Sequence, residues 1–502
     1  MIEILISIIY IVTTILVGAI TTLIVYARWH YGSLEKVQGL VGVVKPYWVG
    51  GSDIFLHNKV IHVADAENVK KYGKVFGYYE GRTPHIFIAD PEMIRLIFIK
   101  DFDHFHNKRA LDFGHPLVGD MMDMLPYDRW KIVRSFISPS LTTGKIRNMS
   151  TAMTEAITEW MNTLKEQLHN KQEPFHPRKM YRALTTDIIA RCAFGMKINT
   201  LHDPDHIFNQ KLNQIAMENM DINFMFTVAH VFPFIFKMIE IFPLSSLDYF
   251  GDILRNVMKV RKESKITVND FLDTLNEMVD KCSNEEYKQH KITEVTVMCQ
   301  AMVFFLAGFE TTTTTLSSLT YNFAKNPKVQ EKAVEELDSY LKRHEGKIEH
   351  ETIGELTYLA ACMQESLRMH SPAIRLERVC NKEWHHEPSD LKIEKGMTVQ
   401  VPIFAVHYDE EYFPNPTKFD PERFLPENKH RLNPYAVLQF GQGPHNCIGM
   451  RFAKEEILLT FANVLKEYTF KANETTKFEF LPGRNFVVAV KPFNVDAIPR
   501  MK

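Results

Sequence analysis

Between Glu3 and Arg28 the chain reads ILISIIYIVTTILVGAITTLIVYA, 24 residues without a charge. As a helix rising 1.5 Å per residue it reaches roughly 36 Å, enough to cross the hydrocarbon of a bilayer. No helical period gives it a polar face, which argues against a buried core helix. A cleaved secretory leader would show a basic start, a shorter apolar stretch and a small-residue cleavage site. Here Glu3 precedes the run, and Arg28, His30 and Lys36 follow it. This asymmetry predicts a membrane anchor over residues 1–27, with the bulk of the chain facing the cytosol. A second apolar stretch, Asn223 to Leu244, is broken by His230, Pro233, Lys237 and Glu240 and is a poor spanning helix. Its phenylalanines (Phe224, Phe226, Phe232, Phe234, Phe236, Phe242) suit either a core or a lip in the lipid interface.

Beyond the anchor, composition excludes whole classes. With 45% hydrophobic and 24% charged residues in 502, a disordered or collagen-like chain is ruled out. Fifty-nine basic against 61 acidic residues leave a formal charge of -2, which offers a nucleic acid no electrostatic attraction. The six cysteines (Cys192, Cys282, Cys299, Cys362, Cys380, Cys447) lie far apart with no C-x-x-C pair, the pattern of a reducing compartment. No repeat or Gly/Ser linker marks an interior boundary. Apolar spacing predicts helices over Thr151–His169, Asp187–Phe194, Val268–Cys282, Ile292–Ala324, Pro327–Arg343, Thr357–His370 and Cys447–Tyr468. Short strands are expected at Lys59–Val63, Ile86–Ala89, Thr398–Ile403 and Asn485–Val490. The predicted fold is mainly α with small peripheral β-sheets.

The stretch Phe440-Gly441-Gln442-Gly443-Pro444-His445-Asn446-Cys447-Ile448-Gly449 puts one cysteine where a glycine-containing loop enters a helix. The helix dipole and backbone N–H groups there favour a thiolate, the form an iron ligand needs. Gly441 and Gly443 would let backbone pass close to a flat macrocycle, and Phe440 would keep water off the sulfur. The dinucleotide fingerprint G-x-G-x-x-G fails at its third position, Asn446.

This loop resembles the signature of the cytochrome P450 family, the heme-thiolate monooxygenases. Asp128–Met149 and Arg375–Cys380 resemble its microsomal clan, which includes vertebrate drug-metabolising and insect detoxification members. The resemblance implies a P450 fold behind the anchor, in one heme-binding domain over 28–502, with heme b held by Cys447. The family usually carries an arginine where this chain has His445, so the usual salt bridge to a heme propionate becomes pH-dependent. Glu365 and Arg368, one helical turn apart, would form a buried network with Arg423 of FDPERF, serving folding and heme retention. Glu92 and Arg95 repeat the spacing as a surface ion pair.

In the helix Ile292–Ala324, the sequence Ala307-Gly308-Phe309-Glu310-Thr311-Thr312 is similar to the family's oxygen-binding groove. Gly308 and the threonine run Thr311–Thr315 predict a local distortion. Ala307 and Gly308 would make room over the iron, while Glu310 and Thr311 form the acid-alcohol pair that delivers protons to dioxygen. Trp130, Arg134, Arg378 and Lys108 fall where the family places propionate partners. Val303, Phe304, Leu306, Ala373 and Ile374 match pocket-lining positions, and an apolar pocket implies a lipophilic substrate of xenobiotic, steroid or fatty-acid type. No flavin or NADPH motif is present, so NADPH-cytochrome P450 reductase is implied as a separate partner, with cytochrome b5 as a further one. Lys131, Lys145, Arg147 and Lys454 are the docking candidates. The clan's location implies the endoplasmic reticulum membrane. Two alternatives stay open: an isomerase acting on peroxides without a reductase, against which the Glu310–Thr311 pair stands, and a heme-binding protein without turnover.

Overall fold

The computed structural model describes residues 2–52, 59–110, 115–170, 174–198, 200, 207–215, 228–237, 243–268, 270–483, 487–488 and 490–500. The helix Glu294–Lys325 organises it. Thr293 caps the start reciprocally: its hydroxyl accepts from the Thr296 N–H, and the Thr296 hydroxyl accepts from the Thr293 N–H. Because most faces of this helix are buried, its hydroxyls bond inward. Thr311, Thr313, Thr315 and Ser317 each donate to the carbonyl four residues back, at 2.7 to 2.8 Å. They use second lone pairs without displacing the helical ladder, so the expected distortion does not interrupt the helix.

Gly308 lies against the helix Pro177–Phe194: an added Cβ there would meet the end of the Ile189 side chain, which would have to shift. Around this pair the helices Thr143–Lys165, Leu244–Ser264, Phe271–Lys281, Pro327–Arg343, Thr357–Met369 and Met450–Glu467 share one apolar cluster. Burying it is the main driving force for this packing.

Among the described residues, nine short strands edge the helices: β1 (Gly42–Val43), β2 (Val75–Glu80), β3 (Thr83–Ile88), β4 (Arg375–Val379), β5 (Trp384–His386), β6 (Leu391–Ile393), β7 (Thr398–Pro402), β8 (Tyr468–Lys471) and β9 (Asp496–Pro499). The largest sheet runs β1-β2-β3-β7-β4. Strands β2 and β3 form a hairpin whose opposed Phe76 and Phe87 stack at 5.0 Å. β7 is buried throughout, which suits its valines. Through it, β4 carries Arg375 to Arg378 toward the Cys447 loop.

Two strand expectations change. At Lys59–Val63 the chain turns into a helix, Ile61–Tyr72, whose buried Ile61, His62 and Asp65 follow a helical rather than an alternating spacing. Asn485–Val490 lies partly outside the described residues; Val487 and Val490 form single bridges to Ala373 and Phe480.

The anchor is one helix, Ile2–Arg28, with apolar side chains exposed along its length until Ala27. Its most apolar window has a mean hydropathy of 2.5, with none of it buried. At its end Tyr26 stacks on Phe232 at 6.1 Å, and Arg82 lies over the same tyrosine. Phe234, beside it, is exposed. The second apolar stretch therefore meets the anchor where the anchor leaves its apolar run, although Phe224, Phe226 and Phe242 lie outside the described residues.

Candidate active site

Cys447 sits three residues ahead of the helix Met450–Glu467, its N–H donating to the Phe440 carbonyl at 2.8 Å. Gly441 and Gly443 both have positive φ, +74° and +71°. Gly443 owes its identity to a different neighbour from the one expected: a Cβ there would overlap the carbonyl of Phe98. Cys447 is exposed, yet it faces interior cavities. Burial pushes its thiol pKa up, opposed by the Gly449 N–H and the Arg134 guanidinium. The loop alone therefore does not favour a thiolate as the sequence suggested; the charge of a bound metal is what would remove the proton.

Two cavities, about 470 Å³ and 250 Å³, share Cys447 on one wall and Ala307, Thr311 and Thr312 on another. A third, about 280 Å³, adjoins both through His445 and Asp123. Cations gather at their junction. Lys108 lines the second and third cavities, Trp130 and Arg134 the second, and Arg378 the third. Arg378 is buried with its Nε unpartnered, and burial pushes its pKa down to about 9. Burial also lowers the pKa of Lys108. Desolvated cations facing open space call for an anionic ligand. A heme with its two acidic groups fits this set, with Cys447 as the metal donor.

His445 does not add a cation. Its Nε2–H donates to the His106 carbonyl at 2.8 Å, and its ring packs 3.9 Å from Trp130. Burial, then the Arg378 and Lys108 charges, push its pKa down to about 3, so the ring is neutral at pH 7. Nδ1 is then the unprotonated nitrogen and has no proton to donate.

On the opposite wall, Thr311 donates to the Ala307 carbonyl at 2.7 Å. Glu310 lines the same 470 Å³ cavity but is bound: Arg178 Nη2 lies 2.6 Å from Oε1 and Arg182 Nη2 2.8 Å from Oε2. The acid and the alcohol are neighbours in sequence, but the acid is clamped by two arginines that sequence reading did not single out. Arg178 and Arg182 are one turn apart on the facing helix, a spacing whose signal appears only once the two helices are known to pack.

Behind the loop, Glu365 and Arg368 have no solvent exposure. Arg368 binds Glu365 through two N–H groups at 2.7 and 2.8 Å and also donates to the carbonyls of His407 and Pro416. Arg423 Nε lies 3.4 Å from Glu365, completing the three-residue set. Glu92 and Arg95 form an exposed pair.

The apolar assignments divide. Val303, Leu306, Ala373 and Phe440 line the 470 Å³ cavity. Phe304 lines the second cavity, stacked on Phe271 at 4.3 Å. Ile374 lines neither: it is buried with Ile61, Phe76 and Phe87 just ahead of β4 and reaches only the third cavity. Of the basic candidates, Lys131 is exposed and Arg147 pairs with Glu351 at 2.9 Å. Lys145 is half-buried. Lys454 lies over the Phe440 ring, 5.4 Å from its centre.

A family model described as cytochrome P450 matches residues 42–497. The chain is 32% identical over 496 residues to Cytochrome P450 3A56 of Fundulus heteroclitus, covering 97% of this chain and 98% of that protein. It is 33% identical to Cytochrome P450 3A40 of Oryzias latipes, with 97% of each covered. It is also 33% identical over 477 residues to the lithocholate 6-beta-hydroxylase of Mesocricetus auratus, with 92% of each covered.

Proposed function

The chain belongs to the cytochrome P450 family and is a heme monooxygenase acting on lipophilic substrates, and on that premise we propose how its own residues perform the reaction and which partners it uses. It inserts one atom of dioxygen into a lipophilic small molecule, using electrons that a separate reductase takes from NADPH. The observation that carries this reading is that Cys447 and Thr311 line the same two cavities, which adjoin a third where the buried Arg378 has its Nε unpartnered. Family members bind heme through a cysteine thiolate, and bound heme would supply iron-centred oxygen activation, with Cys447 donating electron density to the metal.

The protein's part is to hold, exclude and relay. Lys108, Trp130, Arg134 and Arg378 hold the cofactor's acidic groups, and His445 contributes through its stack on Trp130. Phe440 keeps water from the sulfur. Ala307 leaves space on the distal wall, where the Thr311 hydroxyl holds and passes a proton at Oγ1. Glu310, anchored by Arg178 and Arg182, links that relay to the outside. Glu365, Arg368 and Arg423 keep the proximal loop in place. Val303, Leu306 and Ala373 wall the substrate.

Residues 28–502 act as one heme-binding domain, because the two cavity walls are 136 positions apart in the chain (447 minus 311) and must enclose one cofactor. The helix Ile2–Arg28 anchors it in the endoplasmic reticulum membrane with the domain on the cytosolic side. NADPH-cytochrome P450 reductase, and cytochrome b5 as a second donor, dock on the face carrying Lys131, Lys145, Arg147 and Lys454.

The purified, reduced protein with carbon monoxide is expected to show the absorption band of a thiolate-ligated heme, lost in Cys447→Ser. Absence of the band, or its persistence in that variant, rejects the ligand assignment. Turnover driven by lipid peroxide without NADPH or reductase would reject the electron route.

A further inference from the structure

The acidic side chains around the three cavities have partners, with one exception. Glu310 is bound by Arg178 and Arg182. In the third cavity, Glu80 and Glu377 are bound by Arg109. Asp123 lines all three cavities and makes no hydrogen bond or ion pair among the described residues. It is exposed, and the 470 Å³ cavity it faces is walled mainly by apolar groups such as Met124, Val303 and Leu306. A carboxylate left beside apolar walls costs free energy once a substrate drives water out, unless that substrate brings a counter-charge.

Lys108, which lines two of the same cavities, is a candidate for that counter-charge from the protein. The two groups sense each other electrostatically, but no contact within 4.0 Å joins them. Lys108 also belongs to the cation set that fits the cofactor's acidic groups. Asp120, three residues earlier, shows the contrast: it is bound by Arg129 and by the Thr296 hydroxyl.

We propose that Asp123 is a specificity-determining residue of the substrate cavity, and that it selects lipophilic molecules carrying a protonated amine. The ammonium donates to the Asp123 carboxylate while the apolar body occupies the space beside Val303 and Leu306. A charge-assisted hydrogen bond formed away from bulk water favours the cation over a neutral molecule of the same shape. This inference rests on the monooxygenase reading and names its substrate class.

The test uses the full-length holoprotein and a matched pair of probes: a tricyclic tertiary amine, and the neutral analogue with carbon in place of nitrogen. Binding at pH 7.4 is followed by the shift of the heme spectrum and by equilibrium dialysis. Wild type is expected to prefer the amine, and Asp123→Asn to lose roughly 10- to 100-fold of that preference, while Asp123→Glu retains most of it. Equal preference in wild type and Asp123→Asn overturns the proposal, as does an equal loss of affinity for both probes, which would mark a packing role. A fall in heme content with the amine preference intact assigns Asp123 to Lys108 and also overturns it. If wild type lacks the thiolate-heme band, the monooxygenase reading fails; if the band is present without amine preference, only this proposal does.

Discussion

The Nε2–H of His445 donates to the main-chain carbonyl of His106 at 2.8 Å, committing that nitrogen inside the protein and leaving a neutral ring on Trp130. On the proposed heme-binding reading, the cofactor's acidic groups would be held by Lys108, Trp130, Arg134 and Arg378. His445→Arg places a permanent guanidinium beside them. Transfer of heme to apomyoglobin is expected to slow several-fold, and an unchanged or faster rate would show that position 445 does not face the acidic groups.

Thr311 and Glu310 separate by experiment. Thr311→Ala removes the hydroxyl at the cavity wall, so oxygen consumption is expected to release several-fold more peroxide per NADPH; unchanged coupling would remove Thr311 from the relay. Glu310→Gln removes the carboxylate charge that binds Arg178 and Arg182, at a cost of about 3 kcal/mol. Chemical denaturation would measure that loss, and a variant as stable as wild type would show that the clamp is not a structural tie.

Arg368 makes four hydrogen bonds with no solvent exposure. Arg368→Ala strands Glu365, with an expected destabilisation of about 3–5 kcal/mol. Little or no heme-loaded protein should be recovered. Arg368→Lys, which cannot reproduce the fork, is expected to rescue only part of the yield. Full heme content in either variant contradicts the role given to the network.

Glu456, on the helix Met450–Glu467, is buried with both carboxylate oxygens unpartnered, and burial pushes its pKa well above the usual range. In the unfolded chain the group ionises near about 4.3, so above that pH the folded state binds the extra proton. Stability from this residue is therefore present at low pH and lost as pH rises from the unfolded value toward the raised folded one. Glu456→Gln removes that slope. Denaturant midpoints at pH 5 and pH 8 are expected to fall less between the two for the variant; equal falls would mean that Glu456 is not buried as a neutral acid.

What could be read before the structure was local in the chain. The anchor is a property of 24 consecutive residues, the ligand loop of ten, and the Glu365–Arg368 pair of one helical turn. The helical body follows from spacing, whereas the first residues of Ile61–Tyr72 read equally as a strand, because a five-residue window does not separate the two periods.

The rest depended on which surfaces meet. His445 finds its acceptor 339 positions away, and Glu310 finds its arginines 128 and 132 positions away. Ile374 and Ala373 are adjacent in sequence and face different cavities. The amino-acid sequence by itself determined the apolar N-terminal helix, the cysteine-bearing loop and the helical class, because each is set by chain neighbours. Only the tertiary structure decided that the histidine is neutral, that the distal glutamate is clamped and that Asp123 stands without a partner among the described residues, because charge state and pairing depend on burial and on side chains distant in the chain.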